Sequence, residues 1–100
     1  IKLFDLINNK LKGGEGMPEK DVLLFGPARE AYSSSVKITF PRTVNGRVIK
    51  DIIFQELYKI LHLKDCSMLA INQEYVEDYD IEINMDDVDE IAILPPLSGG

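Results

Sequence analysis

One apolar stripe constrains the fold of this chain more than any other feature. Ile49, Ile52, Ile53, Leu57, Ile60 and Leu61 fall three and four residues apart, which puts them on one face of a helix and predicts that helix from about Arg47 to His62. Lys50, Asp51, Gln55, Glu56 and Lys59 fill the opposite face and read as solvated surface. The segments around it have strand character. Val22-Leu23-Leu24-Phe25 is an apolar run closed by Gly26-Pro27, as expected of a buried first strand. After the polar turn segment Glu30 to Ser35, Val36, Ile38 and Phe40 alternate with Lys37 and Thr39 until Pro41, which predicts a half-buried second strand and a hairpin. Thr43 to Gly46 reads as loop and helix start. Further strands are expected at Met68-Leu69-Ala70-Ile71, at Tyr75-Val76, where Ile81 and Ile83 alternate with Asp80 and Glu82, and at Ile91-Ala92-Ile93-Leu94. A striped helix must bury its stripe, and in this order the surface available to it is one face of a mixed sheet, an α+β architecture.

A chain of 100 residues at 45% hydrophobic supports one domain with one modest core. We place that domain at residues 21–100 and treat residues 1–20 as an extension and linker. Leu3, Phe4, Ile7 and Leu11 have near-helical spacing, and Gly13-Gly14-Glu15-Gly16 follows without a dinucleotide fingerprint or a phosphate-loop lysine. The segment is either a mobile extension or a docking helix. The net charge of −6 argues against nucleic-acid and anionic-membrane surfaces, which need clustered Lys and Arg, and favours a partner with a basic groove. The single cysteine, Cys66, cannot staple the chain internally, and no cleavable signal or long apolar run appears, so a reducing, cytoplasmic setting is expected.

The final strand is followed by Pro95-Pro96-Leu97-Ser98-Gly99-Gly100. Two adjacent prolines fix φ and remove backbone donors, so the ladder cannot continue past Leu94 and the chain must leave the sheet as a stiff arm. Leu97 to Gly100, fully extended, adds about 13 Å of reach. Gly99 and Gly100 let the walls of a narrow channel close directly on the backbone, and the chemical handle they leave is an α-carboxylate. A frayed, passive end is the alternative.

This ending resembles the small, sulfur-carrying subunits of molybdopterin synthase, a ubiquitin-like family whose tails run Pro-Pro-x-x-Gly-Gly. The element order likewise resembles the β-grasp fold, in which the first and last strands lie side by side and parallel at the sheet centre. Phe25-Gly26-Pro27-Ala28-Arg29-Glu30 looks like the family's Ala-x-x-Arg-Glu region, and Asn72-Gln73-Glu74-Tyr75-Val76 like its Asn-Gln turn. Val88, in Asp86-Asp87-Val88-Asp89-Glu90, stands where members commonly place Gly. The resemblance covers residues 22–100. It implies that the Gly100 carboxylate is adenylated by a ubiquitin-activating-type adenylyltransferase and sulfurtransferase using ATP, then converted to a thiocarboxylate. Ser98 and Gly99 belong to the threading tail. The sulfur would pass to cyclic pyranopterin monophosphate in the large synthase subunit, within a heterotetramer of two small and two large chains. This chain would hold no cofactor and no catalytic site of its own. By matching position, Phe25, Leu94, Pro95, Pro96 and Leu97 would dock the partner; Phe25 and Leu94 facing their own core is the alternative. Arg29 would pair within its own domain or with the partner.

Other signals carry less. His62 and Cys66 are four apart, but two ligands do not make a tetrahedral metal site, and Cys66 lacks the basic context of a nucleophile. The acidic positions from Asp78 to Glu90 lack the central glycine of an EF-hand loop. No metal site is therefore expected. Two rival functions stay open: a ubiquitin-like carrier for tRNA or thiamine thiolation or for protein conjugation, and a β-grasp interaction module whose tail is inert.

Overall fold

The computed structural model describes residues 17–96. The expectations that fall on residues 1–16 and on Leu97, Ser98, Gly99 and Gly100 lie outside them. Seven strands, β1 (Glu19–Leu24), β2 (Ser35–Thr39), β3 (Thr43–Asn45), β4 (Met68–Ile71), β5 (Glu74–Tyr75), β6 (Glu82–Asn84) and β7 (Ile91–Leu94), alternate with helices α1 (Pro27–Ala31) and α2 (Gly46–Glu56). Five strands form one sheet in the order β2-β1-β7-β4-β5, and β3 and β6 form a separate pair. β1 and β7 run parallel at the sheet centre, with Val22 opposite Ile91, Leu23 opposite Ala92 and Leu24 opposite Ile93. All other strand pairs are antiparallel. This is the α+β, β-grasp arrangement.

The core lies between α2 and one sheet face. Val22, Leu24, Leu69, Ile91 and Ile93 point toward Ile49, Ile52, Ile53 and Phe54, and all of them are buried. The Asn45 side chain starts α2 by accepting a 2.9 Å hydrogen bond from the Val48 N–H, which satisfies an otherwise unpaired first-turn donor.

Several expectations change. α2 stops at Glu56 instead of running to His62. Leu57 leaves helical geometry (φ −98°, ψ 53°), and a 3₁₀ segment, Tyr58–Leu63, follows with a further break at Ile60. The break resets the helical phase, so Ile60 stays buried while Leu61, the last member of the stripe, is 53% exposed. Phe54, outside the stripe, is fully buried. Thr43 to Asn45 is a strand as well as a helix start, because β6 supplies its ladder partner. Part of the Glu30–Ser35 turn belongs to α1, whose first residue is Pro27. β1 begins at Glu19, inside the segment read as linker, and is held there by pairing with Thr39 and by the Phe40 N–H donating to the Pro18 carbonyl at 3.0 Å. β1 ends at Leu24, before Phe25, and β5 takes Glu74 and Tyr75, leaving Val76 outside.

The hairpin between β4 and β5 turns through Asn72 (φ 50°) and Gln73 (φ 69°), both left-handed as tight two-residue turns require. The Asn72 side chain accepts from the N–H groups of Asp89 (2.8 Å) and Glu90 (3.1 Å) and donates to the Asp87 carbonyl (2.9 Å), tying this hairpin to the start of β7. Val88 sits in that same connection with φ −102°, which any residue adopts, and its side chain is 2% exposed. The turn has no geometric need of glycine, and the valine adds core. Val88→Gly is therefore expected to lower stability by about 2–3 kcal/mol, combining lost burial with greater unfolded-chain freedom. Urea denaturation checks this, and unchanged stability would contradict it.

Candidate functional site

Strand pairing decides which side chains share the outer face of the sheet. Paired residues point to the same side, so Leu23 and Ala92 across β1 and β7, Ala92 and Ala70 across β7 and β4, and Ala70 and Tyr75 across β4 and β5 make one row. Met68 and Leu94 begin the next row. Two alanines at the middle of a row leave a floor without side-chain bulk, while Phe25, Tyr75 and Leu94 stand around it. The result is an open, mainly apolar hollow of about 230 Å³ lined also by Gln73 and Glu90.

Phe25 is 38% and Tyr75 45% exposed, and Leu94 is half-buried. Phe25 and Leu94 thus line one outer-face hollow together and do not point into the domain's own core. The strands at the sheet centre are apolar on both faces, yet among the described residues no element covers the outer one. An apolar surface of this kind marks a contact site.

The root of the tail is positioned by the parallel pairing. Because β1 and β7 run the same way, both end at the same edge of the sheet, and the turn after β1 meets the residues after β7. Gly26 holds φ 61° there, and a Cβ on it would lie 3.0 Å from Pro95 Cγ and 3.3 Å from Pro95 Cβ. Glycine is required twice over, by its dihedral and by the proline packed on it. Pro95 and Pro96 continue over a small crevice of about 30 Å³ bounded by Phe25, Pro27, Ala28, Leu63, Cys66, Ser67 and Ile93. Pro95 is half-buried and Pro96 exposed, and Phe25 borders both this crevice and the hollow. Leu97, Ser98, Gly99 and Gly100 lie outside the described residues.

The remaining expectations resolve as follows. Arg29 is exposed on α1 and has no ion pair among the described residues. His62 and Cys66 are both exposed, and the Cys66 thiol donates to the Leu63 carbonyl at 3.4 Å. Among the described residues no group of three His, Cys, Asp or Glu side chains converges to hold a metal, and no helix is long and apolar enough to cross a membrane. Farther out on the same face the Lys37 ammonium donates to Asp21 at 2.9 Å, and this hydrogen bond raises its pKa above the usual lysine range. Sequence reasoning missed Gly26, Ala70, Ala92 and Tyr75. The signal for Ala92 was present, since Ile91-Ala92-Ile93-Leu94 alternates large and small until its last residue; the contact of Gly26 with Pro95, 69 residues away, had no local signal.

The ThiS family model matches residues 22–100. A molybdopterin synthase sulfur carrier subunit of Dictyostelium discoideum is 38% identical, over 79% of this chain and 93% of that protein. Its Arabidopsis thaliana counterpart is 32% identical, over 82% of this chain and 83% of that one. Among solved structures, SAMP1 of Haloferax volcanii superposes with a TM-score of 0.61 at 20% identity, covering 83% of this chain and all of that one, which speaks to the fold alone.

Replacing Gly26 by Ala is expected to cost about 2 kcal/mol, because alanine is strained at this φ and its methyl meets Pro95. Chemical denaturation gives the cost, and the nuclear magnetic resonance shifts of Pro95 and Pro96 should move with it. Unmoved proline resonances would contradict the packing of the turn on the tail root.

Proposed function

We propose that this chain, which belongs to the ThiS family, is the sulfur-carrier small subunit of molybdopterin synthase and donates sulfur from a thiocarboxylate on Gly100 to cyclic pyranopterin monophosphate. The observation that carries the reading is the root of the tail: a central, core-anchored strand hands directly to Pro95-Pro96 beside an apolar hollow that no described element covers. The family match running through Gly100 supports it, as do relatives that are themselves molybdopterin synthase sulfur carrier subunits.

The chemistry follows from what a carboxylate lacks. Resonance makes it a poor acyl electrophile, so it must first gain a leaving group. Adenylation by an activating enzyme with ATP supplies one, and a sulfur nucleophile then displaces AMP, dividing one difficult step into two. The chain contributes a loaded terminus and a docking face, and the groups that act on the pterin belong to the large subunit. In this reading Phe25, Leu94, Pro95, Pro96 and Leu97 form the docking face, and Ser98 and Gly99 thread the partner. The assembly is two small and two large chains, acting in the cytoplasm.

Two outcomes test it. Phe25→Asp should weaken binding to the large subunit at least about tenfold, as expected for a charge placed in a desolvated contact centre, while changing stability by less than about 1 kcal/mol; titration calorimetry and denaturation separate the two. Undiminished binding would remove the hollow from the interface. Adding one residue after Gly100 should abolish synthase activity with the fold unchanged, and retained activity would contradict the threading of the tail.

A further inference from the structure

The outer sheet face differs from one end to the other. Beside Phe25 and Leu94 lies the apolar hollow with Ala70 and Ala92 at its floor, and toward the start of β1 the same face turns acidic. Glu19 and Asp21 alternate with Lys20 and Val22 along β1, so they point outward with Leu23, and Glu90 borders the hollow itself. Against these carboxylates the strands of this face set one cation, Lys37, which already donates to Asp21 at 2.9 Å. Among the described residues neither Glu19 nor Glu90 has an ion pair. We propose that this face is covered in the free chain by the chain's own residues 1–12, docked as an amphipathic helix antiparallel to β1. The inference does not rest on the carrier reading.

Residues 1–12 lie outside the described residues and are read from their sequence. On a helix Leu3, Phe4, Ile7 and Leu11 share one side, and Lys10 and Lys12 fall on its two flanks. With Lys2, the segment sets three lysines against one acidic residue, Asp5, so its excess charge is opposite to that of the face. The lengths agree as well. Twelve helical residues span about 18 Å, and the six residues of β1 span about 20 Å. Gly13 to Pro18 connect the two and extend to about 20 Å, enough to turn the chain back over the outer face.

The antiparallel direction follows from the charges. It brings Lys10 and Lys12 beside Glu19, Asp21 and Glu90, and it lays Phe4 and Ile7 over Ala70 and Ala92, whose small side chains leave the room that larger ones fill. The reverse direction would carry the lysines to the apolar end. A helix this short does not hold in water alone, so burial of the stripe supplies the driving force and the ionic contacts set the orientation. A protein that docks on the hollow must first displace the segment.

Nuclear magnetic resonance of the full chain tests this. Nuclear Overhauser cross-peaks are expected from the Phe4 ring and the Ile7 methyls to the methyls of Ala70 and Ala92, with intensities relative to intradomain peaks unchanged on about tenfold dilution. Phe4→Asp together with Ile7→Asp should abolish them and shift both alanine methyls, while the core methyls of Leu69 and Ile93 stay in place. Lys10→Glu together with Lys12→Glu should weaken the cross-peaks at least about two-fold at low salt, where exposed charges are least screened. Absent cross-peaks, with alanine methyls unmoved by the aspartate variant, would overturn the cover. Cross-peaks that fade on dilution would place a second copy on the face and overturn docking within one chain, and cross-peaks indifferent to the lysine reversals would overturn the ionic orientation.

Discussion

The parallel contact between β1 and β7 is the constraint on which the rest of the structure depends. It joins the start of the described domain to its last strand, with Val22, Leu23 and Leu24 set against Ile91, Ala92 and Ile93. Contacts so distant in sequence form only against a considerable loop-closure entropy. They are stabilised because Val22, Leu24, Ile91 and Ile93 are all buried under α2. Once that pairing is in place, the direction in which the tail leaves the sheet is no longer free. The prolines emerge where the turn after β1 stands, and Gly26 gives Pro95 the room to pack there.

The same strands also account for the outer face. Strands at the centre of a sheet are usually apolar on both sides because both sides are covered. Here the second side is apolar without a cover among the described residues, and the two small side chains Ala70 and Ala92 hollow it out between Phe25, Tyr75 and Leu94. A continuously apolar strand can thus mean either double burial or a surface waiting for a partner. Proximity joins the two halves of the account: the tail root and the hollow share Phe25 as a wall, so a protein that covers one necessarily meets the other.

Much of this was legible in the sequence, and the reasons differ by element. The helix, the terminal strands and the stop imposed by Pro95-Pro96 are written in local patterns: a 3.6 period, short apolar runs, and residues without a backbone donor. The break at Leu57 was not legible, because Ile60 and Leu61 continue the helical spacing while the packed chain turns into 3₁₀ geometry. β3 was hidden for a different reason, since a three-residue strand exists only by virtue of β6, 37 to 41 residues away in their register. Of the candidate site, Phe25 and Leu94 were identified by position, but the choice between core and surface needed the registers of β7 with β1 and β4. Gly26 and Tyr75 join the site only through contacts between elements remote in the chain.

Sulfur on the terminal glycine is the claim from which the functional account hangs. Its most direct measurement is top-down mass spectrometry of the full chain after incubation with the activating enzyme, ATP and a persulfide donor. The account predicts one oxygen-for-sulfur exchange localised to Gly100, with the Cys66 thiol unchanged. Sulfur found on Cys66 instead, or an unaltered terminus with a demonstrably competent activating enzyme, would contradict it.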